Sequence, residues 1–296
     1  MFLKKKISTS TLTYSENINK SIELINQADR VVLGIGSGLS AAGGLCYTDP
    51  QLTKEWYPEY YSMGLHTIAD IQGMYWWLSN SDPVKYWGFW AKHIWHIRYE
   101  ADATKPYLDL YKLIGQKDYF ICTTNVDSQV EKAGFASSRI LSTQGNYCYF
   151  QCSKPCSDEV YHNKKMIEIM INNMVSPFEI RQEDIPLCPH CGNPLVPNLR
   201  CDNRFVEKPH MINALEYEKY VMGCKTKAVI FLELGVGYNT PGIIRYPFEK
   251  ITHSIMTARL IRINNTCADV PENIKGKSTS IQEDLAKVLF DMVSKR

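Results

Sequence analysis

Five short apolar runs set the fold class: RVVLGI at 30–35, YFICT at 119–123, RILS at 139–142, AVIFLEL at 228–234 and LIRI at 260–263. They are rich in β-formers, none alternates strictly, and helix-length segments separate them. A strand that is apolar on both faces must be covered on both, and helical crossovers between parallel strands do this. The pattern predicts an α/β fold, a Rossmann-like parallel sheet with helices on both faces. Residues 15–28 read as a helix with Ser15 as N-cap and Ile18, Ile22 and Ile25 on one face. Residues 280–295 read as the closing helix, with Ser280 and Glu283 as a capping box and Ile281, Leu285, Val288, Leu289 and Met292 as its buried stripe.

Two stretches interrupt this rhythm. Residues 47–99 hold all six tryptophans, seven tyrosines and Phe89, and residues 147–204 hold a cysteine cluster and several prolines. Strand-like runs lie on both sides of these stretches and no internal repeat is present. The expected organisation is therefore one domain over 1–296. Its Rossmann-like part covers about 1–46, 100–146 and 205–296, with a helical aromatic insert at about 47–99 and a zinc module at about 147–204. Thirty-three basic against thirty-one acidic residues leave +2, too little for nucleic-acid binding by bulk charge. No apolar run reaches membrane-spanning length, and Met1–Tyr14 lacks an h-region and a cleavage site. The expectation is a cytoplasmic protein with neither nucleic acid nor membrane as partner.

Thiols stay reduced in the cytosol, so clustered cysteines there read as metal ligands before disulfides. Of ten cysteines, five fall within 148–191. Cys46, Cys122, Cys201, Cys224 and Cys267 are scattered and read as small core residues. Cys152 and Cys156 form a C-x3-C pair, and Cys188 and Cys191 a C-x2-C pair followed by glycine. Each turn can present two thiolates to one side of a tetrahedral zinc, and four close the site. Cys148 competes for a place, and free buried thiols or a redox pair are the alternatives. The lysines at 154, 164 and 165 make no basic patch for a nucleic-acid ribbon.

Gly34 to Gly44 (GIGSGLSAAGG) follows the first strand directly. Such a turn lets backbone approach a pyrophosphate, or serves only to pack a strand against a helix. A hydride-transfer enzyme would carry a strand-end acid about 20 residues on. Here that distance falls in DPQLTKEWYPEYY, which is no strand end. Thr124, Asn125 and Asp127 stand just past the second strand, where open α/β sheets place their ligand crevice. Turn formation or helix capping is the plainer reading of these three.

In chain order, GSGLSAAGG at 36–44, TTNVD at 123–127 with EKAG at 131–134, TQG at 143–145, the cysteine pairs, ELGVG at 233–237 and RIN at 262–264 resemble the sirtuin family across nearly the whole chain. The resemblance implies NAD as co-substrate, held by Gly36, Ser37, Gly38, Ser40, Ala41, Thr124, Asn125, Asp127, Gln144, Gly235, Gly237 and Asn264. It implies catalytic roles for Asn125, Asp127 and Gln144, and structural zinc on Cys152, Cys156, Cys188 and Cys191. Three departures stand out. Thr124 replaces the family's glutamine, Cys46–Asp49 replaces its proline–aspartate–phenylalanine–arginine stretch, and Gln144 replaces the histidine of deacylating members. With the aromatic insert, these changes resemble the macrodomain-linked (class M) microbial sirtuins. That subgroup implies protein ADP-ribosylation of a lipoylated, glycine-cleavage-H-like carrier, with a macrodomain protein reversing it. A lysine deacylase and a non-catalytic NAD-binding scaffold are the other readings. An amide cannot serve as the base that deacylation needs. The insert at 75–98 is expected to form a helical lobe over the cofactor, or an acceptor-docking surface. His93 and His96 can share a helix face but lack a third ligand.

Overall fold

The computed structural model describes residues 12–296, so Met1 to Thr11 of the amino-terminal segment lie outside the described residues. Its strands are β1 (Arg30–Ile35), β2 (Tyr119–Thr123), β3 (Ile140–Ser142), β4 (Gly145–Cys152), β5 (Val160–His162), β6 (Leu195–Leu199), β7 (Val229–Leu234), β8 (Ala258–Ile263) and β9 (Ser278–Ile281). Six of them form one sheet in the order β3-β2-β1-β7-β8-β9, and every pairing is parallel. The direction of sheet growth reverses between β1 and β7. That switch point opens a crevice at the carboxyl ends of the two strands.

Side chains alternate across a strand with period two, so both faces need cover. Val31, Leu33 and Ile35 of β1 join Ile121, Leu232 and Ile261 on one face, packed under the helices Tyr14–Gln27, Lys105–Ile114 and Leu285–Ser294. Val32, Phe120, Phe231 and Leu260 point the other way and meet Tyr220 and Phe248 from the helices Ala214–Met222 and Arg245–Ser254. No helix of the described residues is long and apolar enough to cross a membrane.

Two helix starts differ from the sequence expectation. Thr13, not Ser15, caps the first helix, through a capping box with Glu16. Residues 278–281 form β9 rather than the start of the last helix, because Ser278 to Ile281 pair with β8 and bury alternate side chains. Ser280 donates to Ala268 O, and Asp284 caps the helix instead.

The two inserts share a third core. Trp87, Phe89 and Trp90 of the helix Pro83–Ile94 pack with Phe150 and Leu195 of the small antiparallel sheet β5-β4-β6. His93 lies fully buried inside it, with Tyr57 OH 3.0 Å from Nδ1 and Tyr147 OH 3.1 Å from Nε2. Burial pushes its pKa down to about 3, so it is neutral. His96 stacks on Trp56 and pairs with Glu100. The two histidines flank Tyr57, and among the described residues neither joins a metal-ligand cluster.

Candidate functional site

At the switch point the loops after β1 and β7 interlock. Gly36 N donates to Leu234 O and Gly38 N to Gly235 O, both at 3.0 Å. Gly235 has φ +62°, and a Cβ there would sit 2.5 Å from Leu39 N. A Cβ on Gly36 would lie 2.6 Å from Gly235 O. These glycines therefore serve close loop packing first. The exposed Gly237 has open space around it and leaves room for a ligand. Ser37 is exposed and Ala41 half-buried on the short helix Ser37–Ala42 that follows.

The loop after β2 closes over that helix. Thr124 N donates to Ile35 O at 3.1 Å, which ties the loop to β1. Asn125 Nδ2 lies 3.0 Å from Gly36 O, 3.0 Å from Ser40 Oγ and 2.9 Å from Tyr107 OH. A carbonyl can only accept, so the amide nitrogen is fixed inward and Oδ1 is the atom left to offer a ligand. Ser40 Oγ donates to Asp127 Oδ2 at 2.5 Å, and Gln129 N donates to Oδ1 at 3.0 Å. Burial pushes the Asp127 carboxyl up, and those two bonds partly offset it. Ser128, next in the chain, has φ +60° without being glycine, a strained conformation of the kind that collects at functional sites.

Gln144 follows Thr143, whose N donates to Thr123 O at 3.1 Å. It lines a cavity of about 330 Å³ with Leu141, Arg200, His210, Met211 and Ile243. Among the described residues its side chain has no hydrogen bond to Asn125 or Asp127. Arg200 holds its backbone: Arg200 N donates to Gln144 O at 3.0 Å and Nε donates to Thr143 O at 3.0 Å. Gly145, at φ +95°, allows this, since a Cβ there would fall 2.0 Å from Asn198 O of β6.

Beyond β7 the motif residues are committed inward. Glu233 is buried against Arg262, whose Nη2 donates to Oε2 at 2.8 Å, and Arg245 Nη1 lies 3.5 Å from Oε1. Burial pushes the Glu233 carboxyl up against the pull of Arg262. Asn264 donates to Val236 O at 3.1 Å and accepts from Thr266 N and Cys267 N, so it orders the turn beside Gly237.

The four paired cysteines converge, with their sulfurs all within 4.8 Å of one another. Cys152 and Cys191 sulfurs are 3.5 Å apart, and those of Cys156 and Cys188 3.6 Å apart. Zinc–thiolate bonds of about 2.3 Å in a tetrahedron separate sulfurs by about 3.8 Å, so the cage fits that ion. Asn193 donates to Cys191 Sγ at 3.2 Å and pulls its thiol down to about 6, toward the thiolate a metal needs. Cys148 is outside the cage, in β4, with its thiol pushed up to about 11 by burial. Among the scattered cysteines Cys122 and Cys224 are core residues, but Cys201 is exposed.

No family model matches the chain. It is 28% identical over 279 residues to a protein ADP-ribosyltransferase of Staphylococcus aureus (strain Mu50), covering 90% of this chain and 83% of the relative. It is 28% identical over 299 residues to a probable bifunctional ADP-ribose hydrolase/ADP-ribosyltransferase of Fusarium oxysporum f. sp. cubense, covering 96% of this chain and 49% of that one. The chain thus spans about half the length of that second relative. Among solved structures, Sir2Tm bound to a propionylated peptide superposes with a TM-score of 0.57 at 16% identity, covering 94% of this chain and 98% of that one. A structure on the basis of sirtuin substrate affinity gives 0.60 at 18%, covering 96% and 99%. The chain has the sirtuin fold.

Within that sirtuin fold, the glycine turn, Ser40, Asn125 and Asp127 come together as one bonded group. Gln144 lines a cavity beside β3, with no side-chain hydrogen bond to that group among the described residues. The replaced stretch Cys46–Asp49 leads into the aromatic lobe: Tyr47 packs edge-on to His93, and Asp49 caps the helix Pro50–Trp56. Sequence reading missed Tyr107, Asn198, Arg200, Arg245 and His210. No motif marks them, because each is brought to the sirtuin framework from a segment of ordinary local sequence.

Proposed function

We propose that the chain is an NAD-dependent protein ADP-ribosyltransferase, moving ADP-ribose from NAD to a protein acceptor and releasing nicotinamide. The observation that carries this reading is Gln144. It is a non-titrating side chain where the deacylase pattern has its base, and it lines a cavity whose Thr143 is bonded to Thr123, where the loop that carries Asn125 begins. The relatives named ADP-ribosyltransferases support it. Transfer is a glycosyl displacement: the bond from ribose C1′ to nicotinamide breaks, its electron pair neutralises the pyridinium, and a new bond forms from C1′ to the acceptor.

In this reading Asn125 Oδ1 accepts from a ribose hydroxyl or positions the acceptor, its nitrogen being anchored inward. Asp127, tied to Ser40 and Gln129, fixes the wall of the nicotinamide pocket. Gly36, Ser37, Gly38, Ala41, Thr124, Gly235 and Gly237 line the crevice for the rest of NAD, with Asn264 holding the turn beside it. Gln144 orients a ribose hydroxyl. Cys152, Cys156, Cys188 and Cys191 hold a structural zinc that joins β4 to the knuckle, in a cytoplasmic setting where thiols stay reduced.

The acceptor enters by the Gln144 cavity. Leu141, Met211 and Ile243 give that cavity an apolar wall suited to an acyl-thiol arm, and the exposed Met211, Ile212 and Leu215 flank it as a docking face. We assign the acceptor as a lipoylated, glycine-cleavage-H-like carrier, and a macrodomain protein as the partner that removes the modification. The Fusarium relative's name joins both activities in one longer chain. Labelled NAD is incubated with lipoylated and unlipoylated carrier, and the carriers are analysed by mass spectrometry. Label on the lipoylated form is expected. Equal labelling of both forms removes lipoyl recognition, and no nicotinamide release removes the enzyme.

A further inference from the structure

The Gln144 cavity contains one histidine, and its protonation is set by the residues behind it. Asn198 is fully buried on β6. Its Nδ2 donates to Gln151 Oε1 at 2.7 Å and to Val206 O at 3.1 Å. Gln151 is itself fixed, with Nε2 donating to Arg204 O at 2.8 Å and Oε1 accepting from Val206 N at 2.9 Å. The Asn198 amide nitrogen is therefore spent, and its Oδ1, which can only accept, faces His210 Nε2. His210 must carry its proton on Nε2. Nδ1 keeps its lone pair and, among the described residues, has no hydrogen-bond partner. Phe205 stacks on the ring at 5.5 Å and holds its plane. This is the base-and-orienter arrangement of an amide-supported catalytic histidine.

We propose that His210 is the general base of the reaction, taking the acceptor's proton on Nδ1 as the nucleophile bonds to ribose C1′. The assignment rests on the transferase reading for the identity of the acceptor. The balance closes: the nucleophile gains C1′ and loses its proton to Nδ1, nicotinamide leaves with the electron pair of the broken bond, and the imidazolium later returns its proton to water. Arg200, Glu207 and Tyr149 are the charged or titratable groups around the ring. Burial and then Arg200 push its pKa down to about 4, so it is unprotonated at neutral pH. A base this weak suffices here. In an oxocarbenium-like displacement the nucleophile's proton becomes strongly acidic as the new bond forms.

His210→Gln keeps a donor toward Asn198 but has no basic nitrogen. Transfer to the lipoylated carrier should fall about 100-fold in kcat, with NAD affinity by calorimetry within about two-fold. Imidazole should restore part of the activity of His210→Ala. Long-range nitrogen–proton spectra of the unaltered protein should show His210 as the Nε2–H tautomer, and Asn198→Ala should mix the two tautomers. A His210→Gln variant with more than about one third of normal turnover would overturn the assignment, as would an Nδ1–H tautomer. If the unaltered protein leaves the carrier unlabelled, the transferase reading fails. The base is then read from nicotinamide release into water, where an equal rate in His210→Gln overturns it and an equally large loss supports it.

Discussion

The loops around Asn125 and the cavity around Gln144 are built in opposite ways. In the first, Asn125, Ser40, Tyr107 and Asp127 bond to one another and to the backbone of Gly36 and Gln129, and little is left to move. In the second, Gln144 is held only by its backbone, the wall is mostly apolar, and the polar groups arrive from β6 and the segment after it. A site that must grip one invariant small molecule gains from preorganisation. A site that must admit a protein-borne group needs open space and a docking face. On the proposed transferase reading, the bonded half would hold NAD and the open half would take the acceptor.

The largest test removes the frame on which the open half stands. Cys188→Ser, or chelation, should cost most of the stability of the lobe and small sheet, since structural zinc supplies on the order of 10 kcal/mol of folding energy. Protein purified without chelator should contain about one zinc per chain. Metal content near zero would break this account of the cage. Next comes the bonded half. Asn125→Ala should lower transfer by about 100-fold or more while NAD binding remains measurable. Near-normal turnover would mean that this loop does not position the reacting ribose.

Smaller effects sharpen the open half. Gln144→Ala should cost about 10-fold in transfer, through lost orientation of a ribose hydroxyl. Gln144→His should not create an efficient deacylase, because Thr124 and Cys46–Asp49 also differ from the deacylase pattern. Efficient acetyl-lysine turnover by that variant would show that one side chain separates the two chemistries. A separate effect, on stability rather than turnover, concerns the join between the halves, where Tyr147 N donates to Val126 O at 2.9 Å and Tyr147 OH meets His93. An unfolded histidine binds a proton below 6.5, while buried His93 resists it down to about 3. The unfolded chain therefore holds more protons across that window, and stability should fall as pH drops through it, by at most about 1.4 kcal/mol per pH unit. Urea midpoints against pH measure this, and His93→Gln should flatten the slope.

Most of the bonded half was legible in the sequence, Tyr107 excepted, and of the open half only Gln144 was. Gly36, Ser40, Asn125 and Asp127 sit within a few residues of strand ends, so local spacing already places them at the crevice. The cysteine pairs are legible for the same reason, because each turn presents both of its sulfurs. Arg200 and His210 reach the Gln144 cavity, with Asn198 behind His210, only because β6 pairs with β4 and Gly145 lets the strands approach. That is a contact no window of sequence contains. The closing helix shows the reverse error: Ser280 and Glu283 spell a capping box, but the free edge of β8 recruits Ser278–Ile281 as a strand first.

On the proposed function, the Gln144 cavity serves transfer to a protein rather than removal of an acyl group. The two chemistries compete when the unaltered protein is given labelled NAD together with both a lipoylated carrier and an acetyl-lysine peptide, and all products are followed by mass spectrometry. A transferase should leave ADP-ribose on the carrier, free nicotinamide in equal amount, and an unchanged peptide. Peptide deacetylation with O-acetyl-ADP-ribose formed, and an unlabelled carrier, would contradict that function.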